Sequence, residues 1–176
     1  MADTESLIPL AEIAGVFVGF GALIAVRSGG ATGPLEVAPM RVVVSLGMLA
    51  IVAGLVPGVL GRFDLSEHAI WALSSAVVLV AWLVTLIAIF RTPESRAVWT
   101  GEAAEDLARP RWVTVPEWVA YVLLMAMWTL TPILIIGNAV PELEAALYYA
   151  LVALYLLGAG WALLLLVFAR RRPATA

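Results

Sequence analysis

Five mainly apolar stretches, at residues 7–26, 39–61, 69–90, 116–137 and 143–168, dominate this chain of 176 residues. An α-helix rises about 1.5 Å per residue, so about 20 apolar residues carry it across a hydrocarbon core roughly 30 Å thick. The five stretches therefore read as five transmembrane helices. Residues 1–176 read as one transmembrane domain, an all-α polytopic integral membrane protein. Composition agrees: 63% of residues are hydrophobic and 13% charged, and the mean hydropathy is +1.02. A soluble domain is about 45–50% apolar and about 25% charged, and one of this size leaves too much surface in water to hide such an excess.

The arginines set the expected orientation. Arg27, Arg41, Arg91, Arg96, Arg109, Arg111, Arg170, Arg171 and Arg172 all fall on one side of a five-span arrangement, and only Arg62 falls on the other. Basic residues concentrate on the cytoplasmic face, which puts the N-terminus outside and the C-terminus in the cytoplasm of a multi-pass cell membrane protein, in a prokaryotic inner membrane. Asp3 and Glu5 precede the first stretch without a basic residue, so it reads as a span and not as a signal peptide. The longest connection, 91–115, becomes a cytoplasmic loop. Thr92-Pro93-Glu94-Ser95 predicts a short helix in it, around 93–99.

The chemistry missing from the chain is as informative. There is no Cys and no Lys, and His68 is the sole His. That excludes disulfides, thiolate metal centres, lysine Schiff bases and a bis-His haem within one chain. No catalytic motif is legible, so no enzyme, cofactor or metal is expected. A net charge of −3 carries no nucleic-acid footprint.

Helix ends are marked by Asp64 with Glu67, by Thr114 with Glu117, and by Pro141 with Glu142 and Glu144. The first two read as capping boxes and the third suits a helix dipole. Pro57 and Pro132 predict kinks near the outer ends of their spans. Small residues recur at helical spacing. Ala11, Gly15, Gly19 and Ala22 share one face of the first span, with Gly21 on the opposite face. Gly47, Ala50, Gly54, Gly58 and Gly61 share a face of the second. Such stripes let helix backbones approach closely in lipid. They predict packing of the first two helices on each other, or a subunit interface through Gly15, Gly19, Gly47, Gly54 and Gly58.

Glu12 lies on the same face as Gly15 and Gly19, and an acid inside a span faces protein or water. With Arg62 and His68 it forms the candidate proton- or ion-binding group of an outer vestibule; a structural pair with Arg62 is the plainer alternative. Trp82, Trp128, Tyr148, Tyr149 and Tyr155 are candidates for an apolar-ligand pocket, with core packing as their ordinary role. Together these residues predict a small oligomeric channel or transport protein for protons or small cations. The alternatives are a non-catalytic accessory subunit of a larger membrane complex and a binder of lipid or another apolar ligand. The expected partners are the lipid bilayer and either copies of the same chain or other membrane proteins.

Overall fold

The computed structural model describes residues 5–27, 34–92 and 111–169, and no strand occurs among them. Five α-helices follow one another: α1 Ile8–Arg27, α2 Pro34–Leu60, α3 Glu67–Arg91, α4 Arg111–Ile136 and α5 Glu144–Ala169. Single 3₁₀ turns, Glu5–Leu7 and Pro141–Leu143, lead into α1 and α5. The expected short helix around 93–99 lies outside the described residues.

Four stretches are long and apolar enough to cross a membrane: Met40–Leu60, Glu67–Arg91, Val119–Ile136 and Pro141–Leu164. The apolar part of α1, Ile8–Ile24, is shorter. The bundle's exterior is apolar on every helix, with Phe20, Leu55, Val84, Val122 and Leu157 all exposed. In water such a belt would be an aggregation surface; it is compatible with a surrounding of lipid tails.

Contacts between neighbours give the helix directions. Ala14 and Val18 of α1 lie against Gly47 of α2, whereas Leu7 and Ala11 lie against Gly54, so α1 and α2 are antiparallel. Trp71 meets Tyr148 and Trp82 meets Tyr155, so α3 and α5 run the same way. The N-termini of α1, α3 and α5 therefore share one end, here called the His68 end. Helix α2 is central and packs on α1, α3 and α5, while α3 also packs on α4.

The face that α1 turns to α2 differs from the expected small-residue stripe. Leu7, Ala11, Ala14 and Gly21 are buried, and Gly15, Gly19 and Ala22 are exposed. A Cβ on Gly15 or Gly19 would meet nothing within 4 Å, whereas one on Gly21 would stand 3.3 Å from Val43 Cγ1. Gly21 is thus the α2-facing glycine, a correction to the sequence reading. Ala11 belongs to both candidate faces, and steps of three and four residues diverge from it in either direction. In α2 the expectation fares differently at each position: Gly47 and Gly54 sit against α1, while Gly58 has open space where its Cβ would be.

The helix ends are also partly revised. Ser66, not Asp64, caps α3, its hydroxyl accepting from the Ala69 N–H at 3.3 Å. Thr114 and Glu117 fall inside α4, which already begins at Arg111. Both prolines lie within continuous helix, Pro57 in α2 and Pro132 in α4. Pro57 has no N–H for the Ala53 carbonyl, and the Tyr148 hydroxyl of α5 donates to that carbonyl at 2.9 Å instead. The proline thus creates an acceptor that ties α5 to α2.

Candidate functional site

The His68 end is built by two short turns. Helix α4 closes through Gly137, whose N–H bonds the Ile133 carbonyl, and Asn138, which takes a left-handed conformation at φ 51. Asn tolerates that region better than most residues. The chain then reverses through Pro141–Leu143 and starts α5 at Glu144. An acid in a first helical turn is favoured by the helix dipole. Its inward placement is tertiary: Glu144 is buried and meets the one His of the chain, with His68 Nδ1 2.6 Å from Glu144 Oε1. A carboxylate accepts hydrogen bonds, and an imidazole Nδ1–H is the matching donor. Nearby, the Ser6 and Tyr149 hydroxyls bond each other and tie the start of α1 to α5.

Removing one partner of the His68–Glu144 pair strands the other. His68→Leu should lower stability by about 1–3 kcal/mol, because Glu144 is buried without its donor. The double change His68→Leu with Glu144→Leu should restore much of that loss, since two apolar groups leave nothing unsatisfied. Thermal unfolding of the four proteins in one detergent measures this. Losses that simply add would show that the pair has no coupling.

Three of the five aromatic candidates, Trp82, Trp128 and Tyr155, pack on one another, and the other two, Tyr148 and Tyr149, pack on Trp71. Trp82 and Trp128 meet edge to face at 5.0 Å, and Trp128 stacks on Tyr155 at 5.3 Å. Trp71 contacts Tyr148 at 5.3 Å and Tyr149 at 6.3 Å. Trp82 donates from Nε1 to the Thr129 hydroxyl at 3.1 Å, which in turn donates to the Met125 carbonyl. Trp82, Trp128, Tyr148 and Tyr155 are buried and belong to the hydrophobic core. These four rings fill space between the helices. An open apolar groove of about 500 Å³ does lie elsewhere, between α1 and α5, with Ile13, Phe17, Leu156, Gly160 and Trp161 along it.

No hydrogen bond or ion pair links Glu12, Arg62 and His68 to one another among the described residues. Glu12 is exposed on the side of α1 turned away from α2, together with Gly15 and Gly19. Arg62 is exposed in the turn after α2. No ion pair joins Glu12 to Arg62 among the described residues, and His68 is engaged by Glu144. Glu144 is the residue that sequence reasoning passed over. Its signal was present: Glu144, Tyr148, Leu151, Tyr155 and Ala159 recur at helical spacing along one stripe of α5, and that stripe is buried.

Among the described residues the fold and site define an all-helical bundle with an apolar exterior, a half-exposed His68 paired with a buried Glu144, and a packed aromatic interior. No protein-family model, curated protein or solved structure matches the chain.

Proposed function

We propose that the chain crosses the cell membrane of a prokaryote five times, N-terminus outside and C-terminus in the cytoplasm, as a small oligomeric transport protein for protons or small cations. The orientation is supported by the alternating helix directions, which leave Arg62 at the His68 end and gather Arg27, Arg41, Arg91 and Arg111 at the other. A cysteine introduced at position 174 should resist an impermeant thiol reagent in intact cells. The parent has no Cys background, and labelling from outside would reverse the topology.

The observation that carries the transport reading is the exposed face of α1. Glu12 sits there with Gly15 and Gly19, uncovered by any helix among the described residues. A carboxylate facing lipid is costly and must be met by a proton, a cation or protein. Two glycines four residues apart let a second helix come close. Association through this face gathers one Glu12 per subunit at a shared seam, where each carboxylate takes up a proton or a small cation. In reconstituted vesicles Glu12→Gln should keep its fold and assembly and lose most of the flux. A well-folded Glu12→Gln protein with the parent's proton and cation flux would sink this reading.

The accessory-subunit reading is favoured by one observation: among the described residues no bond links the three polar candidates to one another. The same α1 face then docks against a different membrane protein. The mass of the particle purified in mild detergent separates the two readings, a closed homo-oligomer supporting transport and a defined hetero-complex supporting the accessory role.

A further inference from the structure

Four polar groups in the bundle have no hydrogen-bond partner among the described residues: the Ser74 and Ser75 hydroxyls of α3, the Trp128 indole N–H of α4 and the Tyr155 hydroxyl of α5. All four residues are essentially fully buried. Buried polar groups are nearly always paired, and an orphan calls for a cause. Orphans on three neighbouring helices call for a common one.

Their placement is shared. On α5, Tyr148 and Tyr155 stand two turns apart on the buried stripe. On α3, Ser75 lies between Trp71, which contacts Tyr148, and Trp82, which contacts Tyr155. Because α3 and α5 run parallel, Ser75 falls between the levels of the two tyrosines. Trp128 is stacked on Tyr155 with only 23° between their planes. An indole N–H lies in the plane of its ring, so it points past the stacked phenol and not into it. Ser74, whose hydroxyl is the fourth of these unpartnered groups, lies beside the Tyr148 hydroxyl. Glu144 is one turn from Tyr148 on the same stripe of α5, so the polar row begins at the His68–Glu144 pair.

We propose that ordered water binds inside the bundle between α3, α4 and α5, held by Ser75, Trp128 and Tyr155, in line with Glu144. The chemistry of the three groups selects this ligand. The indole only donates, whereas each hydroxyl both donates and accepts. A water molecule offers two donors and two acceptors and commonly makes about three bonds to such buried groups. An apolar ligand would leave all three unsatisfied. The site is independent of the seam at Glu12, which lies on the outside of the bundle.

The test uses the full chain in lipid nanodiscs with ¹⁵N-labelled tryptophan. Trp128 is assigned by the resonance lost in Trp128→Phe. Its indole proton should show a direct magnetisation-transfer peak to water. Tyr155→Phe and Ser75→Ala should each lower Tm by about 2–4 °C, because they take a partner from a bound water. A dry interior predicts the opposite sign for Tyr155→Phe, since deleting an unsatisfied hydroxyl stabilises. Absence of the water peak, or an unchanged or raised Tm in Tyr155→Phe, overturns the proposal. Glu12→Gln should leave the Trp128 water peak in place, so loss of flux in that variant bears on the transport reading alone.

Discussion

Gly54→Leu is expected to prevent formation of the bundle, while Gly15→Leu leaves the fold of the single chain intact. A Cβ at Gly54 would lie 2.8 Å from the Ala11 Cβ and 3.1 Å from the Leu7 carbonyl oxygen. Neither neighbour can swing aside by a rotamer change: one is a Cβ and the other is backbone. Relief requires α1 to move away from α2, and that contact is among the most extensive in the molecule. Overpacking usually costs about 1–3 kcal/mol where side chains can adjust, and more where they cannot. Gly47→Leu should be comparably harmful, because its Cβ would stand 2.5 Å from Val18 Cγ2 and a β-branched side chain is stiff at χ1. Gly15 has open space at the same test. Size-exclusion profiles and helical circular dichroism in one detergent separate the cases. A Gly54→Leu protein as monodisperse and stable as the parent would refute the α1–α2 packing. A Gly15→Leu protein that folds but changes mass would place that glycine between subunits.

Trp128→Ala is expected to cost about 3–5 kcal/mol and to lower Tm by about 10 °C or more. The indole is buried, stacks on Tyr155, meets Trp82 edge to face and lies within about 3 Å of where a Gly158 Cβ would be. Removing it opens a cavity that rings from α3 and α5 cannot close without losing their own contacts. Trp161→Ala is the control, because Trp161 is 63% exposed and should matter little to stability. If Trp128 walled a roomy ligand site, its truncation would cost far less than this. Thermal unfolding followed by circular dichroism, which does not depend on tryptophan emission, decides between them.

The positions of the helices were legible in the sequence because they depend on little besides local length and hydropathy. Expected span 69–90 lies within α3, and 143–168 lies within α5 except for Leu143, the last residue of the preceding turn. Where the boundaries moved, the cause was local competition. Ser66 displaced Asp64 as the cap because its hydroxyl reaches the Ala69 N–H. Helix α2 begins at Pro34, where the missing N–H has no helical partner to lose, and it runs on through Pro39.

Which face of each helix packs was not legible, and the reason is physical. In a soluble protein the apolar stripe marks the buried side. Here every helix is apolar all round and lipid tails are as apolar as the core, so hydropathy carries no facing signal. Small-residue spacing was the remaining clue, and on α1 it fitted two faces through Ala11. Tertiary packing chose the face with Ala14 and Gly21 and left Gly15, Gly19 and Glu12 outside. The same limit hid Glu144, whose place in a first helical turn accounts for its charge but not for its burial. Five apolar helices, their alternation and a chain without thiols or amines follow from the residues alone, because these are properties of segments taken singly. The pairing of His68 with Glu144, the capture of the Ala53 carbonyl by Tyr148 and the stacking of Trp128 on Tyr155 arise only when helices distant in sequence meet, because each depends on rotation about a helix axis that hydropathy does not specify.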